Sequence, residues 1–171
     1  NKSILLLNFL FLYLNIDKNV KINIKTNIPF SSGFGSSASL SVALVRALSK
    51  YFCLGFENEK INELAFECEK IFHGKPSGID NTVITYERPV FYHNGKAEFI
   101  IFKKPFCLVI ANTGNRPDTK HIIGDVRQNY EKNKTKFEKI FSRIDDITKE
   151  AKVCMETGNI KQLGSLMNKN H

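Results

Sequence analysis

The sequence lacks the cysteine and histidine spacings that mark zinc sites and redox motifs. Its four cysteines form no Cys-x-x-Cys pair, and none lies at zinc-ligand spacing from a histidine. A chain of 171 residues with 42% hydrophobic residues can bury a core that needs no disulfides. The cysteines therefore indicate buried thiols in a reducing cytoplasm, although their even number leaves disulfides open.

Long apolar runs and basic runs are also missing. The apolar stretch Ile4–Leu14 is too short to cross a membrane and is interrupted by Asn8, so it predicts a packed helix. The net charge is +8, but the lysines are scattered and never form a run of five. A net positive charge can favour binding to nucleic acid, membranes or anionic substrates. Scattered lysines without interleaved aromatics favour a solvated surface, so we expect neither a nucleic-acid nor a membrane partner.

Two common nucleotide-binding fingerprints are absent. The chain contains neither the P-loop pattern that ends in Gly-Lys-Ser/Thr nor the dinucleotide pattern Gly-x-Gly-x-x-Gly. It also shows no internal repeat and no low-complexity linker. Any phosphate site in this chain must therefore be built on another fold.

A Gly/Ser loop separates a strand-like segment from a helix-like segment. Residues 20–27 alternate between apolar and polar side chains, which predicts a half-buried strand. Apolar residues then recur at helical spacing, which predicts a helix over 37–52. Gly33 and Gly35 give the loop between them backbone freedom.

This loop has the features of an anion site. Ser36 or Ser37 can cap the following helix, whose first amides and dipole favour a negative charge. The pattern suits phosphate, but a Gly/Ser loop before a helix is more often simple turn chemistry.

The rest of the chain predicts a mixture of helices and strands. Apolar spacing predicts further helices over 4–14, 58–72, 120–132, 135–157 and 160–169. Further strands are predicted over 82–86, 89–92, 98–102 and 106–112, with an Asn-Gly hairpin turn within 93–96.

Acidic residues and a histidine lie close to a second polar loop. Asp80, between Gly78 and Asn81, could accept or orient the proton of a hydroxyl group, or it could belong to an ordinary Asp-Asn turn. Glu69, near a predicted helix end, could ligate Mg²⁺ or be a surface charge. His73 could act as a base or have only a structural role.

These segments resemble motifs of the GHMP kinase family. Residues 32–38, Ser-Gly-Phe-Gly-Ser-Ser-Ala, are similar to the family's second motif, usually Pro-x-x-x-Gly-Leu-Gly-Ser-Ser-Ala. Residues 69–81 resemble the matching segment of the mevalonate kinases within that family. Asn112-Thr113 and Asp118-Thr119-Lys120 resemble a later loop of the same enzymes. The three segments follow the family's order and spacing.

The resemblance implies an α+β fold of the GHMP kinase type. We expect residues 1–115 to form an N-terminal domain similar to the second domain of ribosomal protein S5. Residues 116–171 are then the helical start of a ferredoxin-like C-terminal domain.

The resemblance also implies ATP- and Mg²⁺-dependent phosphorylation of the 5-hydroxyl of mevalonate in the cytoplasm. The matching residues would then share the work of phosphoryl transfer, which consists of positioning and charge neutralisation. Asp80 would activate or orient the hydroxyl, Thr119 would contact the substrate or the reacting phosphates, and Ser37 and Glu69 would ligate Mg²⁺. The ATP phosphates would be bound by Ser32, Gly33, Phe34, Gly35, Ser36, Ser37 and Ala38. Many relatives are dimers, so a homodimer is expected by analogy.

The sequence also departs from the family pattern. Phe34 stands where Leu is usual, and Ser32 where Ala is common. The first motif, with its Lys-x-x-Leu-x-Gly-Glu-His segment, and the glycine-rich third motif are not found. We therefore expect an internal piece of a family member. Two alternatives stay open: a GHMP kinase for another small alcohol, such as a sugar or phosphomevalonate, and a non-catalytic or split-enzyme fragment.

Overall fold

The computed structural model describes residues 2–17, 19–28, 33–93, 95–111 and 119–171, with only the backbone described for 119–121. The chain divides into two compact units, Asn1–Ala97 and Glu98–His171. The described ranges contain seven helices and two strands: α1 (Lys2–Tyr13), α2 (Ser36–Tyr51), α3 (Asn58–His73), α4 (Ile79–Tyr86), β1 (Val90–His93), β2 (Lys96–Phe99), α5 (Thr119–Lys132), α6 (Lys134–Thr157) and α7 (Ile160–Asn170).

The first unit is built on the packing of α2 against α3. Their apolar residues recur at helical spacing, so each helix presents one continuous apolar stripe. The predicted helices over 37–52 and 58–72 are confirmed to within a residue or two at each end. The buried cluster, which also receives two leucines of α1, consists of Leu6, Leu10, Val42, Leu44, Val45, Leu48, Ile61, Leu64, Ala65 and Cys68.

Helix α1 confirms the prediction that the N-terminal apolar stretch is a packed helix. Leu6 and Leu10 are fully buried, and α1 packs against α3. The Lys2 Nζ donates a hydrogen bond of 2.7 Å to the backbone oxygen of Phe72. None of the helices in the described ranges combines the length and apolarity that a membrane crossing requires.

Helix α4 corrects the prediction of a strand over 82–86. The β-branched residues of this segment favour strands, but propensity yields to tertiary packing. Asn81, Thr82 and Thr85 are buried, at a spacing that suits a helix rather than a strand. Helix α4 packs against both α2 and α3, and it begins after Gly78, whose φ of 87° is left-handed.

The strand predictions hold only around the hairpin. Strands β1 and β2 pair in a two-stranded sheet, shifted by one to three residues from the predicted 89–92 and 98–102. Asn94 of the predicted turn lies outside the described residues. The strand predicted over 20–27 is absent from the structure, so that prediction is wrong. The strand predicted over 106–112 is likewise wrong for residues 106–111, while residue 112 lies outside the described residues. Alternation of apolar and polar side chains is compatible with a half-buried strand, but a strand forms only when its backbone has a hydrogen-bonded neighbour.

The second unit packs α6 against α5 and α7. Cys154, Leu163 and Leu166 form its buried cluster. Gly158, at a φ of 76°, ends α6, and the side chain of Asn159 accepts a hydrogen bond from the Gln162 amide at the start of α7. The break predicted between these two helices is confirmed.

We expect Leu64→Ala to lower the free energy of unfolding by about 2–5 kcal/mol, because it leaves a cavity at a fully buried position. Urea denaturation followed by circular dichroism measures the loss. Glu63→Gln, on the exposed side of the same helix, is the matched control, and equal stability of the two variants would contradict the assignment of this core.

A second prediction concerns alkaline pH. Burial, reinforced by the charge of Glu69, raises the pKa of the Cys68 thiol from 9.0 to about 12. Above pH 9.0 the unfolded chain loses this proton while the folded chain keeps it, so stability falls as pH rises towards about 12. We expect Cys68→Ala to flatten this part of the stability profile, measured by urea denaturation across the range. Cys53→Ala, which removes an exposed thiol, should leave the profile unchanged.

Candidate functional site

The candidate site begins at the N-terminus of α2. Gly35 occupies the position before the helix with φ 62° and ψ 34°, a left-handed conformation that favours glycine. No side chain caps this helix, so the prediction that Ser36 or Ser37 does so is wrong. The loop therefore offers main-chain donors and the positive end of the helix dipole, which together suit an anion.

Two serines of α2 bind the carboxylate of Glu69, which comes from α3. The Ser37 hydroxyl donates to Glu69 Oε2 at 2.9 Å. The Ser41 Oγ lies 3.0 Å from Glu69 Oε1 and 3.0 Å from the Ser37 backbone oxygen, and its single hydrogen is shared between these acceptors. Each carboxylate oxygen of Glu69 therefore faces a hydroxyl donor.

Glu69 is buried, with 2% of its surface exposed, and the alternative of a surface charge is wrong. A buried carboxylate is stable only when hydrogen bonds replace its hydration. Ser37 and Ser41 are four residues apart and so lie on the same face of α2. Our sequence reasoning missed Ser41, although this spacing and its position on the apolar face were the available signal.

His73 extends this group towards solvent. Its Nε2 lies 3.0 Å from the Ser37 Oγ and 3.6 Å from Glu69 Oε2. Because the one hydrogen of Ser37 points at Glu69, the compatible arrangement has the His73 Nε2–H donating to the Ser37 oxygen. The imidazole is half exposed, and it forms the outer end of a Glu69–Ser37–His73 series.

Asp80 lies beside the glycine loop. It is an exposed residue in the first turn of α4. A Cβ atom on Gly35 would lie 3.8 Å from the Asp80 Cγ and Oδ2, and 3.4 Å from Ile84 Cδ1. The structure therefore brings the predicted catalytic carboxylate to the loop predicted to bind phosphate. The left-handed backbone conformation is what favours glycine at position 35, because an added Cβ atom would make only ordinary contacts with Ile84 and Asp80.

The turn that carries Asp80 also needs its glycine. A Cβ atom on Gly78 would lie 3.3 Å from the Tyr92 hydroxyl and 3.5 Å from the Phe66 ring. Together with the positive φ, this crowding favours a residue without a side chain at position 78.

The oxygen atoms of Ser37 and Glu69 fit a magnesium ion by their chemistry. Mg²⁺ binds oxygen ligands, usually one or two carboxylates together with substrate phosphates and water. Within the described ranges, no three His, Cys, Asp or Glu side chains converge as a metal cluster. A metal at this position would thus take few ligands from the described residues and the rest from its substrate, as Mg²⁺ does with nucleotides.

The predicted site residues fall into two groups. The described residues of the glycine loop lie in the first unit together with Glu69 and Asp80, whereas Thr119 lies in the second. The side chain of Ala38 is fully buried, so it faces the core. Phe34 is 45% exposed. Ser32 lies outside the described residues. Thr119 is the first residue of α5, and only its backbone is described.

Comparison with protein families gives a match in the N-terminal half of the chain. The model of the GHMP kinases N terminal domain matches residues 3–88. This segment contains the described part of the glycine loop together with Ser37, Glu69 and Asp80.

Several curated proteins similar to this chain are mevalonate kinases. The chain is 37% identical over 92 residues to the enzyme of Arabidopsis thaliana, covering 54% of this chain and 24% of that protein. It is 36% identical over 137 residues to the enzyme of Thermococcus onnurineus, covering 77% of this chain and 41% of that protein. The chain therefore spans less than half of the length of these relatives.

A solved structure supports the same relationship. The chain resembles the crystal structure of L. major mevalonate kinase in complex with R-mevalonate, with a TM-score of 0.76 and 28% identity. The match covers 99% of this chain and 54% of that one. The expected α+β fold is thereby confirmed, and the helices that carry Ser37, Glu69 and Asp80 belong to it. With a family model matching half of its length, the chain belongs to the GHMP kinases.

Proposed function

We propose that this chain supplies the phosphate loop and the reactive carboxylate of an ATP-dependent kinase that phosphorylates the 5-hydroxyl of mevalonate. One observation carries the proposal: the Asp80 carboxyl group lies next to Gly35 at the N-terminus of α2. This arrangement puts a proton acceptor beside an anion site, as transfer of a phosphoryl group to an alcohol requires. The substrate is inferred from the mevalonate kinases that the chain resembles.

In this proposal, the loop of residues 32–38 binds the phosphates of ATP. The main-chain amides at the start of α2 donate to phosphate oxygens, and the helix dipole adds attraction. Gly33 and Gly35, at φ 79° and 62°, let the main chain curve around the phosphates. Residues 1–115 form the N-terminal domain in this scheme, and residues 116–171 begin the C-terminal domain.

Ser37 and Glu69 would hold Mg²⁺. When bound, the ion would neutralise charge on the phosphates of ATP. The protein's part is to orient the Glu69 carboxyl group, which the hydroxyls of Ser37 and Ser41 do at 2.9 and 3.0 Å.

Asp80 would orient the acceptor hydroxyl and take its proton. The hydroxyl oxygen then forms a bond to the γ-phosphorus, the bond from that phosphorus to the β–γ bridging oxygen breaks, and ADP leaves. Asp80 is exposed, so a small alcohol can reach it. Thr119 is proposed as a further contact of the substrate.

We further propose a cytoplasmic location and a homodimer. The location is supported by the four cysteines, which are free thiols and would persist in a reducing compartment. The dimer rests on the analogy with family relatives.

Turnover of Mg-ATP with mevalonate tests the proposed function. It should be measured with this chain and with a longer protein that includes it, because the chain spans less than half of the length of the curated relatives described above. Turnover with mevalonate in either form supports the proposal. ATP binding without turnover would favour a non-catalytic chain, and turnover only with a sugar or phosphomevalonate would favour another acceptor.

We expect Asp80→Asn to lower kcat by about 10²–10⁴-fold, the usual contribution of a general base. The affinity for ATP should stay close to that of the wild type, because the amide keeps the shape of the carboxyl group. Steady-state kinetics with calorimetric ATP binding gives both values. Near-normal turnover would show that the role assigned to Asp80 is wrong.

We expect Glu69→Gln to act differently from Asp80→Asn. It removes the charge proposed to hold Mg²⁺ but keeps an oxygen for the serine hydroxyls. Its Mg²⁺ requirement should therefore rise by about tenfold or more, as is common when a metal site loses a supporting group. Titration of turnover and of ATP binding with Mg²⁺ measures this, with Asp80→Asn as the control whose Mg²⁺ dependence in binding is unchanged. An unaltered requirement in Glu69→Gln would rule out the metal role.

A further inference from the structure

Asn62 of α3 bonds to the two residues that follow Asp80, which are Asn81 and Thr82. The Asn81 Nδ2 donates to Asn62 Oδ1 at 2.7 Å, and it lies 3.4 Å from the Asn62 backbone oxygen. The Asn62 Nδ2 in turn donates to the Thr82 Oγ1 at 3.4 Å. The side chain of Asn62 therefore holds two residues of the first turns of α4 at once.

Thr82 also bonds to the turn that precedes Asp80. Its hydroxyl donates a short hydrogen bond of 2.6 Å to the backbone oxygen of Gly78. The hydrogen-bonded series thus runs from Asn81 through Asn62 and Thr82 to Gly78, and it encloses Asp80, which does not take part in it.

Three members of the series, Gly78, Asn81 and Thr82, are buried and Asn62 is partly buried, although Asp80 is exposed. Asn81 is 2% exposed and Thr82 is 6% exposed. Buried amide and hydroxyl groups must be hydrogen-bonded, since an unpaired one costs the full desolvation penalty. Apolar side chains could fill the same space, but they would not fix the rotation of α4 about its axis.

That rotation decides where Asp80 points. Successive residues of a helix are about 100° apart, since a turn holds 3.6 residues. A change of register by one residue would carry the Asp80 carboxyl group away from Gly35, which it now approaches closely. Hydrogen bonds at positions 78, 81 and 82 prevent such a change.

We propose that Asn62 is a positioning residue for the phosphoryl transfer, acting on Asp80 through Asn81 and Thr82. The proposal rests on the proposed role of Asp80, and it assigns a function to a residue of α3 seven positions before Glu69. Asn62 contacts neither the glycine loop nor Glu69 in the hydrogen bonds described above. Its loss should therefore slow the transfer step without weakening the binding of ATP.

A matched pair of variants at position 82 tests the proposal. Thr82→Val keeps the shape of the side chain and removes the hydroxyl, whereas Thr82→Ser keeps the hydroxyl. We expect Thr82→Val and Asn62→Leu each to lower kcat by roughly ten- to a hundredfold, the effect of misplacing a reacting group by about 1 Å. The KM for ATP should change by less than about twofold, because the phosphate loop is untouched. Thr82→Ser should restore most of the turnover.

A control separates positioning from general stability. Leu64→Ala weakens the same core without touching this series of hydrogen bonds, so its kcat per folded molecule should be unchanged. Wild-type kcat in Thr82→Val or in Asn62→Leu would overturn the proposal, as would a KM for ATP that rises in proportion to the loss of kcat. If one of the two variants does not fold, the other decides.

The same experiment distinguishes failure of the inference from failure of the proposed function. Wild-type turnover with mevalonate, measured alongside, decides the function. The ¹³C resonance of the Asp80 carboxyl group reports its surroundings without turnover. It should move in Thr82→Val and stay in Thr82→Ser, and an unmoved resonance in both would overturn the inference even in an inactive form.

Discussion

Hydrogen bonding to one buried carboxylate, that of Glu69, is the constraint on which the site depends. A carboxylate removed from water costs several kcal/mol unless donors replace its hydration, and here α2 provides them from Ser37 and Ser41. The requirement fixes the rotation of α2 against α3. It also sets the direction in which the α2 N-terminus and its glycine loop face. The apolar stripes alone would leave both helices free to slide or turn against each other.

Helix α4 is held in a comparable way at both of its ends. Its first turns bind Asn62, and near its C-terminus the Arg46 guanidinium of α2 donates to the Thr85 backbone oxygen and to Glu87 at 2.8 Å. The pair with Glu87 is exposed and adds little stability. The bond to the Thr85 carbonyl satisfies a group at a helix end. Each helix that carries a site residue thus receives polar contacts from a neighbouring helix. The apolar core sets the distance between these helices.

The sequence allowed much of this arrangement to be predicted, for physical reasons that can be named. Helices α2 and α3 carry long apolar stripes, and the Gly/Ser loop between two patterned segments marked the phosphate site. Helix α4 could not be predicted, because Thr82–Tyr86 has the composition of a strand and only contacts with α2 and α3 make it helical. The burial of Glu69 was also hidden, because it depends on serines twenty-eight and more residues earlier in the chain. Residues 20–27 have the alternation of a strand without the paired neighbour that would make them one.

The distribution of the cysteines has a consequence for spectroscopy. Cys53 is exposed in the first compact unit and Cys107 is exposed in the second, whereas Cys68 and Cys154 are buried. Thiol reactivity follows exposure and the fraction of thiolate, and the high pKa of Cys68 suppresses its thiolate further. The natural chain therefore carries one accessible attachment point for a fluorophore in each unit. A dye at Cys53 would report on the surroundings of the first unit, and a dye at Cys107 would report separately on those of the second.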